Sequence, residues 1–470
     1  DIAMRKRTFD LLILMAVWLV ATAASAQTAS ESAIETGDLS QITLLDLDTA
    51  CRLALVANPS LAAARARVAQ AEQRLLQTRS QYWPRLDANA AGNRVWLSDR
   101  SYEQQLLQAR LFDPNAQIDD PDNIFDAGLY ATWVAFDGFA RKFRVAQAQF
   151  GLVRSQAGSR EARRLILAAV ARAYYSALLA QESIAIAEAD DRFNRRQLED
   201  AQARYQVGVG PLSDTLNFKV RVNSAQSFLI EARRAWETSL YTLAAVLGLE
   251  NVKLSPALRL TPLATETAAD MAIPDTALAV ALAAENRPDV AQAQWAVQQS
   301  KAAVKVAQAG YYPSVNLMAG VNGSRQEDPS FESEEFGSAI GLELNYNLFA
   351  GGLDRARVGE ARAARREIES ELDRLQIRVS ADVRTAIARV IEAQKQVRLQ
   401  TENAALVTQN RDLVALEFKS GEGTLVRLNE AQRDLNTARG RLAQARVALR
   451  QAWFDLKVET GEILSDYAQL

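Results

Sequence analysis

The chain has 470 residues, with 54 Lys and Arg against 57 Asp and Glu, and a formal net charge of −3. This balance argues against a nucleic-acid-binding protein, because no excess of cations is present to neutralise phosphates. The absence of histidine and the single cysteine, Cys51, exclude Ser-His-Asp and Cys-His catalytic sites, Cys/His zinc sites and disulfides within one chain. We expect no enzyme, no cofactor and no metal, and we expect Cys51 to be a packed or unused thiol.

Residues 1–26 are predicted to be a secretory signal peptide. Basic residues from Arg5 to Arg7 precede an apolar segment from Leu11 to Val20, and Ala24-Ser25-Ala26 matches a cleavage site. A transmembrane anchor is the alternative, but the apolar segment is short and small residues follow it. The remaining sequence lacks any apolar run of about 18 residues, the length of a membrane-spanning helix, so an exported protein is predicted.

An internal duplication divides the rest of the chain into residues 27–250 and 251–470. Two elements recur 229 residues later, namely Asn58-Pro59 as Arg287-Pro288 and Tyr82-Trp83-Pro84 as Tyr311-Tyr312-Pro313. Three elements recur 213 residues later, namely Phe136-Asp137-Gly138 as Phe349-Ala350-Gly351, Tyr205 to Gly208 as Phe418 to Gly421, and Gly210 as Gly423. The first repeat therefore holds 16 additional residues between these two groups, in or near Ser98 to Asn123.

The predicted helices follow the same order in both repeats. A helix of moderate length, at about 58–82 and 288–310, ends at an aromatic-proline element, because the residue before proline disfavours the α conformation. Very long, proline-free helices follow at about 139–206 and 353–419, and a Gly-rich turn joins each to a return helix at about 212–247 or 425–457. Each long helix would span about 100 Å, which no globular core requires.

Four short segments alternate apolar and polar residues, at 86–91, 127–134, 315–321 and 340–348. In the clearest of them, Ile340, Leu342, Leu344, Tyr346 and Leu348 alternate with Gly, Glu and Asn. This period of two predicts half-buried strands. Their length and single apolar face fit either the edge of a soluble sandwich or strands of a transmembrane barrel. Four strands cannot close a barrel, and lipid does not tolerate open edges, so several chains would have to share one barrel.

The ordered set of elements resembles the TolC-type outer-membrane efflux proteins, over about Leu44 to Leu464. The resemblance implies a mainly α fold with a transmembrane β-barrel part, in which three copies form one channel. Each chain would contribute four strands and two long periplasmic helical hairpins. It also implies an outer-membrane location in a Gram-negative bacterium, a periplasmic adaptor, and an inner-membrane pump or ABC exporter. The expected function is a passive exit duct of a tripartite efflux or type I secretion system. A soluble periplasmic coiled-coil adaptor or scaffold is the alternative, and a hydrolase using two carboxylates is a third possibility.

The resemblance also assigns roles to residues at two places. Strand–helix junctions are expected at Pro84, Phe136, Gly138, Pro313, Phe349 and Gly351. The periplasmic entrance and adaptor contact are expected at Gly208, Gly210, Asp214, Phe418, Gly421, Gly423, Arg427 and Glu430. Asp214 matches an acid that links helices in the family. Phe418 and Gly423 stand where the family's founding member has a linking tyrosine and a linking arginine, and neither can form the corresponding bond.

Two further expectations concern charge and membrane contact. Arg427 and Glu430 stand at the two acidic ring positions of the family, so the entrance is predicted to be less cation-selective than is usual. The acidic run Asp119-Asp120-Pro121-Asp122 is expected to be a solvated extracellular loop, with a divalent-ion site as the alternative. The residues where helix meets strand fit either a membrane-interface belt or ordinary core packing, and they are Tyr82, Trp83, Arg85, Tyr311 and Tyr312.

Overall fold

A computed structural model describes residues 43–118, 120–249 and 258–468. The predicted signal peptide and Asp119 lie outside these residues. The first repeat contains β1 (Leu44–Leu45), α1 (Leu47–Ala57), α2 (Pro59–Ser80), β2 (Arg85–Val95), α3 (Asp99–Arg110), β3 (Asp122–Asp137), α4 (Ala140–Gln206) and α5 (Leu212–Leu247). The second contains β4 (Arg259–Leu260), α6 (Thr276–Asn286), α7 (Pro288–Gln308), β5 (Ser314–Gln326), β6 (Phe336–Asn345), α8 (Leu353–Ser420), α9 (Leu425–Thr460) and α10 (Ile463–Asp466).

The long helices confirm the prediction from their proline-free sequences. The helix α4 has 67 residues and α8 has 68, so each is about 100 Å long. The helix α4 packs along both α5 and α9, and α9 packs along α8, which places the four in the order α5, α4, α9, α8. Many of the buried residues of α4 and α9 are alanines, whose small side chains allow the helix axes to approach closely. The result is a layer of helices rather than a thick core.

The four longer strands form one antiparallel sheet in the order β2-β3-β5-β6. Neighbouring strands β3 and β5 come from different repeats, so the sheet joins the two halves of the duplication. The strands are longer than the alternating segments predicted, except at the end of β6. Tyr346 and Leu348, which the pattern assigned to a strand, lie beyond Asn345. The physical reason is that Asn345 pairs with Ser314, the first residue of β5, and the preceding Pro313 has no N–H to extend the ladder.

Five short elements were not predicted from the sequence. The short strands β1 and β4 pair in parallel, and Gln181 of α4 holds Leu260 by two hydrogen bonds of 2.9 and 3.0 Å. Helices α1 and α6 precede the proline-started helices α2 and α7. The expected loop between β2 and β3 contains the 12-residue helix α3, which Ser98 caps by accepting from the Ser101 N–H. Asp120 Oδ1 accepts from the Leu97 N–H at 3.0 Å and thereby joins the two ends of the connection between β2 and β3.

Candidate functional site

The sheet has one apolar and one polar face. Opposed residues of antiparallel strands share a face, so the register assigns every side chain to one side. One row across all four strands contains Leu86, Ala131, Ala319 and Ile340, and the next contains Ala88, Leu129, Val321 and Ser338. On the other face, the corresponding row contains Asn89, Gly128, Asn322 and Gly337.

The apolar face is exposed in the single chain. Ile340 is 82% exposed and Leu342 is 67% exposed, although both belong to a regular strand. Exposed apolar patches of this extent mark a surface that contacts lipid or protein. Edge strands β2 and β6 each pair on one side only within the described residues, so the sheet is also open at both edges.

An irregular segment joins the sheet to the helices at the end of the strands marked by Pro84, Pro313 and Phe136. Strands β2 and β5 begin one residue after Pro84 and Pro313, as the sequence predicted. A bulge between Val134 and Phe136 shifts the register by one residue and returns Phe136 to the apolar face, opposite Val315. Bulges commonly redirect side chains at the rims of barrels.

Left-handed residues connect the strands to the long helices. Gly138 has φ of +63° and Gly351 has φ of +60°. Phe139 also has a positive φ of 68°, which is strained for a side chain of this size. Its ring contacts Phe136 and Tyr312 edge-on at centroid distances of 5.3 and 6.2 Å. These contacts hold Phe139 in place. Phe349, by contrast, is 89% exposed in the single chain.

A buried arginine fastens the start of α4 to the base of the sheet. The Arg141 guanidinium donates to the Gln81 carbonyl at 3.2 Å and to the Ala135 carbonyl at 3.1 Å. Its backbone N–H donates to Asp137 Oδ2 at 2.8 Å, and its guanidinium stacks on Tyr82, 5.0 Å from the ring centroid. This role could not be predicted from the sequence, because Arg141 is one of many arginines on α4.

The two helix tips contain the glycines expected there. Gly208 has φ of +76° and Gly421 has φ of +86°, which ends α4 and α8 in the left-handed conformation. Gly423 is required for a different reason. A Cβ there would lie 2.7 Å from the Phe418 backbone nitrogen. Gly210 is less confined, since a Cβ would lie 3.0 Å from the Arg204 Cβ.

Phe418 joins the two hairpins near their tips. Its ring lies 6.3 Å from that of the fully buried Phe218 on α5, and the Arg204 guanidinium lies 5.6 Å from its centroid. Phe418 therefore packs between helices of the two hairpins. Asp214 lines a cavity of about 450 Å³ together with Arg204 and Phe418.

The two predicted ring positions lie on the first turns of α9. The Arg427 guanidinium pairs with Glu417 at 3.3 Å, and both side chains remain substantially exposed. Asn429, beside Glu430, donates to Asn217 Oδ1 of α5 at 3.1 Å. The structure thus brings the tip residues of both repeats together within one chain. Their roles in an assembled entrance remain predictions.

A buried charge cluster at Arg287 was not recognised in the sequence. Arg287 is 4% exposed and donates to Asp289 at 2.7 Å and to Glu459 at 2.6 Å. Arg164 of α4 lies 3.8 Å from the same Glu459 and pairs with Glu161 at 2.7 Å. Burial raises the pKa of Asp289, but the bonds and charge of Arg287 outweigh burial and hold that pKa below its ordinary value. The cluster ties α4, α7 and α9 together.

The remaining candidate groups are the single cysteine and the acidic side chains. Cys51 is fully buried, and burial raises the pKa of its thiol to about 12, which keeps it protonated. Across residues 43–118, 120–249 and 258–468, no acidic and cysteine side chains cluster closely enough to hold a metal ion. In the same ranges, every helix is too short or too polar to cross a bilayer.

Comparisons with known proteins agree with this geometry. A family model described as outer membrane efflux protein matches residues 50–249 and 279–462. The chain is 29% identical to the alkaline protease secretion protein AprF of Pseudomonas aeruginosa over 343 residues, covering 69% of this chain and 67% of that protein. It is 28% identical to protein CyaE of Bordetella pertussis over 339 residues, covering 70% and 69%.

Solved structures share the fold at lower sequence identity. The Campylobacter jejuni CmeC outer membrane channel superimposes with a TM-score of 0.74 and 17% identity, covering 88% of this chain and 85% of that chain. The open state of the Neisseria gonorrhoeae MtrE outer membrane channel gives a TM-score of 0.71 and 21% identity, covering 88% of each chain.

Proposed function

The chain belongs to the outer membrane efflux protein family, and we propose that three copies form a passive exit duct through the outer membrane. The strand sheet would lie in the membrane and the long helices would continue the duct into the periplasm. An adaptor and an inner-membrane pump or ABC exporter would deliver the cargo. No chemistry on the cargo is required, because the duct only has to provide a continuous aqueous path.

The observation that carries this proposal is the two-faced sheet with open edges. Its apolar face suits lipid and its polar face suits a water-filled lumen. The two open edges, β2 and β6, would expose unpaired backbone groups in lipid unless each pairs with another chain. Pairing β2 of one copy with β6 of the next is a heterologous contact, which closes into a ring when the rotation allows.

The soluble scaffold alternative does not account for the apolar face. A scaffold in water would have to leave Ile340, Leu342 and Leu344 exposed, and these side chains are 82%, 67% and 65% exposed in the single chain. Hydrophobic surface of this kind promotes aggregation in water. The coiled-coil helices fit both functions, so the sheet discriminates between them.

Fractionation of cell envelopes on a sucrose gradient tests the location. We expect the chain to sediment with outer membrane and to resist extraction by carbonate and high salt. Release with the soluble periplasmic fraction would contradict the proposal and would favour a scaffold.

Cross-linking at the sheet edges tests the assembly. A cysteine at Asn89 of β2 and another at Ala339 of β6, in a Cys51→Ala background, should yield covalent dimers and trimers after oxidation. Each single-cysteine variant is the matched control and should stay monomeric on a denaturing gel, because the ring contact joins unlike strands. Equal ladders from the single variants would contradict a β2–β6 contact.

We also propose that both tips form the periplasmic entrance and contact the adaptor. The support is their exposure, since Val207 and Val209 are 73% and 76% exposed at the end of the first hairpin. The residues placed there are Gly208, Gly210, Asp214, Phe418, Gly421, Gly423, Arg427 and Glu430.

A further inference from the structure

A groove lies at the junction between the sheet and the helices. The first turns of α4 and α8 flank the C-terminal end of α7 and enclose a cavity of about 710 Å³. Cavities of this volume are large enough for a small ligand or a lipid headgroup. None of the roles assigned above uses this groove.

Four cations surround the groove. Lys142 of α4, Lys305 of α7, and Arg355 and Arg362 of α8 all line it, and all four side chains are exposed. Within the described residues, none of the four takes part in an ion pair. Like charges around one cavity repel each other, so this arrangement favours an anionic ligand.

Two carboxylates that adjoin groove-lining residues in sequence are paired with other cations. Asp354, beside Arg355 in sequence, lies 3.7 Å from Arg357. Asp137, at the end of β3, lies 3.7 Å from Arg144 on α4. The positive charge of the groove is therefore left without an internal counterion in the described part of the chain.

The walls of the groove are aromatic. Phe139 and Phe143 line it from α4, and Tyr311 and Tyr312 line it from the end of α7. Lys142 lies above one of these rings, with its Nζ 5.9 Å from the Phe143 centroid. Aromatic rings next to cations are typical of the boundary between membrane and water.

The aromatic wall continues the apolar face of the sheet. Phe136 belongs to that face because it pairs with Val315. The Phe139 ring contacts Phe136 on one side and Tyr312 on the other, at 5.3 and 6.2 Å. A ligand in the groove would therefore have its polar part among the cations and its apolar part along the lipid-facing side of the strands.

We propose that this groove binds the phosphate headgroup of an anionic phospholipid in the membrane leaflet nearest the helices. Arginine and lysine bind the phosphate oxygens, and basic pockets at this depth suit anionic lipids. The acyl chains would lie along Phe136 and the apolar face above it. This inference rests on the proposed membrane location of the sheet.

Gly359 keeps the groove open. It lies between Arg355 and Arg362 on the same face of α8, and a Cβ there would meet no atom within 4 Å. A larger side chain at this position can enter the groove without disturbing the helix backbone. Gly359→Leu therefore provides a variant that blocks the site and leaves every charge unchanged.

Native mass spectrometry of the full chain in mild detergent tests the inference, with short-chain phosphatidylglycerol as the probe. Phosphatidylcholine and inorganic phosphate are tested separately. We expect selective binding of phosphatidylglycerol. Affinity should fall about tenfold or more in a variant with Lys142, Lys305, Arg355 and Arg362 all changed to Gln. Gly359→Leu should give a similar loss.

The matched control removes four other exposed, unpaired cations from α8. In the described chain Arg374, Arg378, Lys395 and Arg398 lie farther along that helix and form no ion pair, and their change to Gln should leave lipid binding unaffected. Equal binding of phosphatidylcholine, or equal loss in the control, would overturn the inference. Competition by inorganic phosphate at similar concentration would assign the groove to a free anion instead of a lipid.

The membrane location is judged independently in the same strain. If the wild-type chain sediments with outer membrane but shows no preference for the anionic lipid, only this inference fails. If it does not sediment with membrane, the proposed function fails as well.

Discussion

The two helix tips occupy equivalent positions in the two repeats but differ in charge at one matched position. Gly208 and Gly421 both adopt positive φ, at +76° and +86°. Six residues beyond each of them, Asp214 stands in the first repeat and Arg427 in the second. The glycine that the backbone turn requires is therefore present in both repeats. The residue six positions later is constrained only by its surroundings, and it differs between the repeats.

The local electrostatics of the two tips differ accordingly. Asp214 lies in the first turn of α5, where the positive end of the helix dipole favours an acid. Arg427 lies in the first turn of α9, where the dipole disfavours a cation, and Glu417 provides the compensating charge at 3.3 Å. Equivalent backbone positions can therefore serve different electrostatic purposes.

The largest expected difference in stability between the two repeats concerns the residues that precede the proline-started helices α2 and α7. Arg287 is buried in a charge cluster, whereas its counterpart Asn58 caps α2 by accepting from the Ser60 N–H at 2.8 Å. Arg287→Ala should lower the free energy of unfolding by about 3–5 kcal/mol, because it removes a buried cation and leaves the half-buried Asp289 and Glu459 without their main partner. Asn58→Ala should cost about 1–2 kcal/mol, because it removes the cap and the hydrogen bond of 2.7 Å that Asn58 Nδ2 donates to the Val246 carbonyl. Chemical unfolding in detergent, followed by circular dichroism, measures both.

A double variant controls for this interpretation. Combining Arg287→Ala with Asp289→Asn should recover part of the lost stability, since a neutral amide needs no counterion. Equal losses in Arg287→Ala and Asn58→Ala would show that the cluster contributes no more than an ordinary cap.

Substitution of the two junction glycines is expected to give a smaller difference in the free energy of unfolding. Gly138 and Gly351 have nearly the same φ, but a Cβ on Gly138 would lie 2.6 Å from the Ala309 carbonyl oxygen, and one on Gly351 would meet nothing within 4 Å. Gly351→Ala should cost about 1 kcal/mol from backbone strain alone. Gly138→Ala should cost about 3 kcal/mol, because it adds a backbone clash. Thermal unfolding of the two variants measures the cost of the clash with the Ala309 carbonyl. Identical unfolding midpoints would show that this clash adds nothing to the backbone strain.

Acid stability should distinguish Arg287→Ala from Asn58→Ala. The folded pKa of Asp289 lies below the ordinary value of 3.8, so its contribution is complete above that pH and is lost as the pH falls through the lower folded pKa. In Arg287→Ala, burial without the cation should raise that pKa. The onset of acid unfolding should then move to higher pH. A pH titration of the unfolding midpoint measures the shift, and Asn58→Ala should keep the wild-type profile.

The smallest effect on stability, but a direct one on transport, is expected at the tips. Arg427→Asp makes the second tip resemble the first and should raise the cation preference measured by reversal potentials in planar bilayers. Asp214→Arg should shift the preference in the opposite direction. Both changes concern exposed or partly exposed side chains and should alter the free energy of unfolding by about 0.5 kcal/mol or less. An unchanged reversal potential in both variants would remove these residues from the entrance.

The duplication, the long helices, the presence of the strands and the family could all be predicted from the sequence. Periodicity reports which residues must share a face, and proline and glycine report where a helix must end, so these features can be predicted from local pattern. The helix predicted to run to about 206 ends at Gln206, and the return helix expected from about 212 begins at Leu212. The excursion between β2 and β3 was located correctly, but α3 was missed because only the acidic run was considered.

The contacts between residues far apart in the sequence became visible in the folded chain. The fold paired β3 with β5 across the repeats, grouped Arg287 with Arg164 and Glu459, and placed Lys142, Lys305 and Arg362 around one groove. Arginine and lysine are abundant on the exposed faces of these helices, so their sequence positions do not reveal which of them become neighbours. The energetic effect of burial or of a charge depends on the neighbouring groups rather than on the residue alone. That effect is therefore set only when elements far apart in the chain pack together.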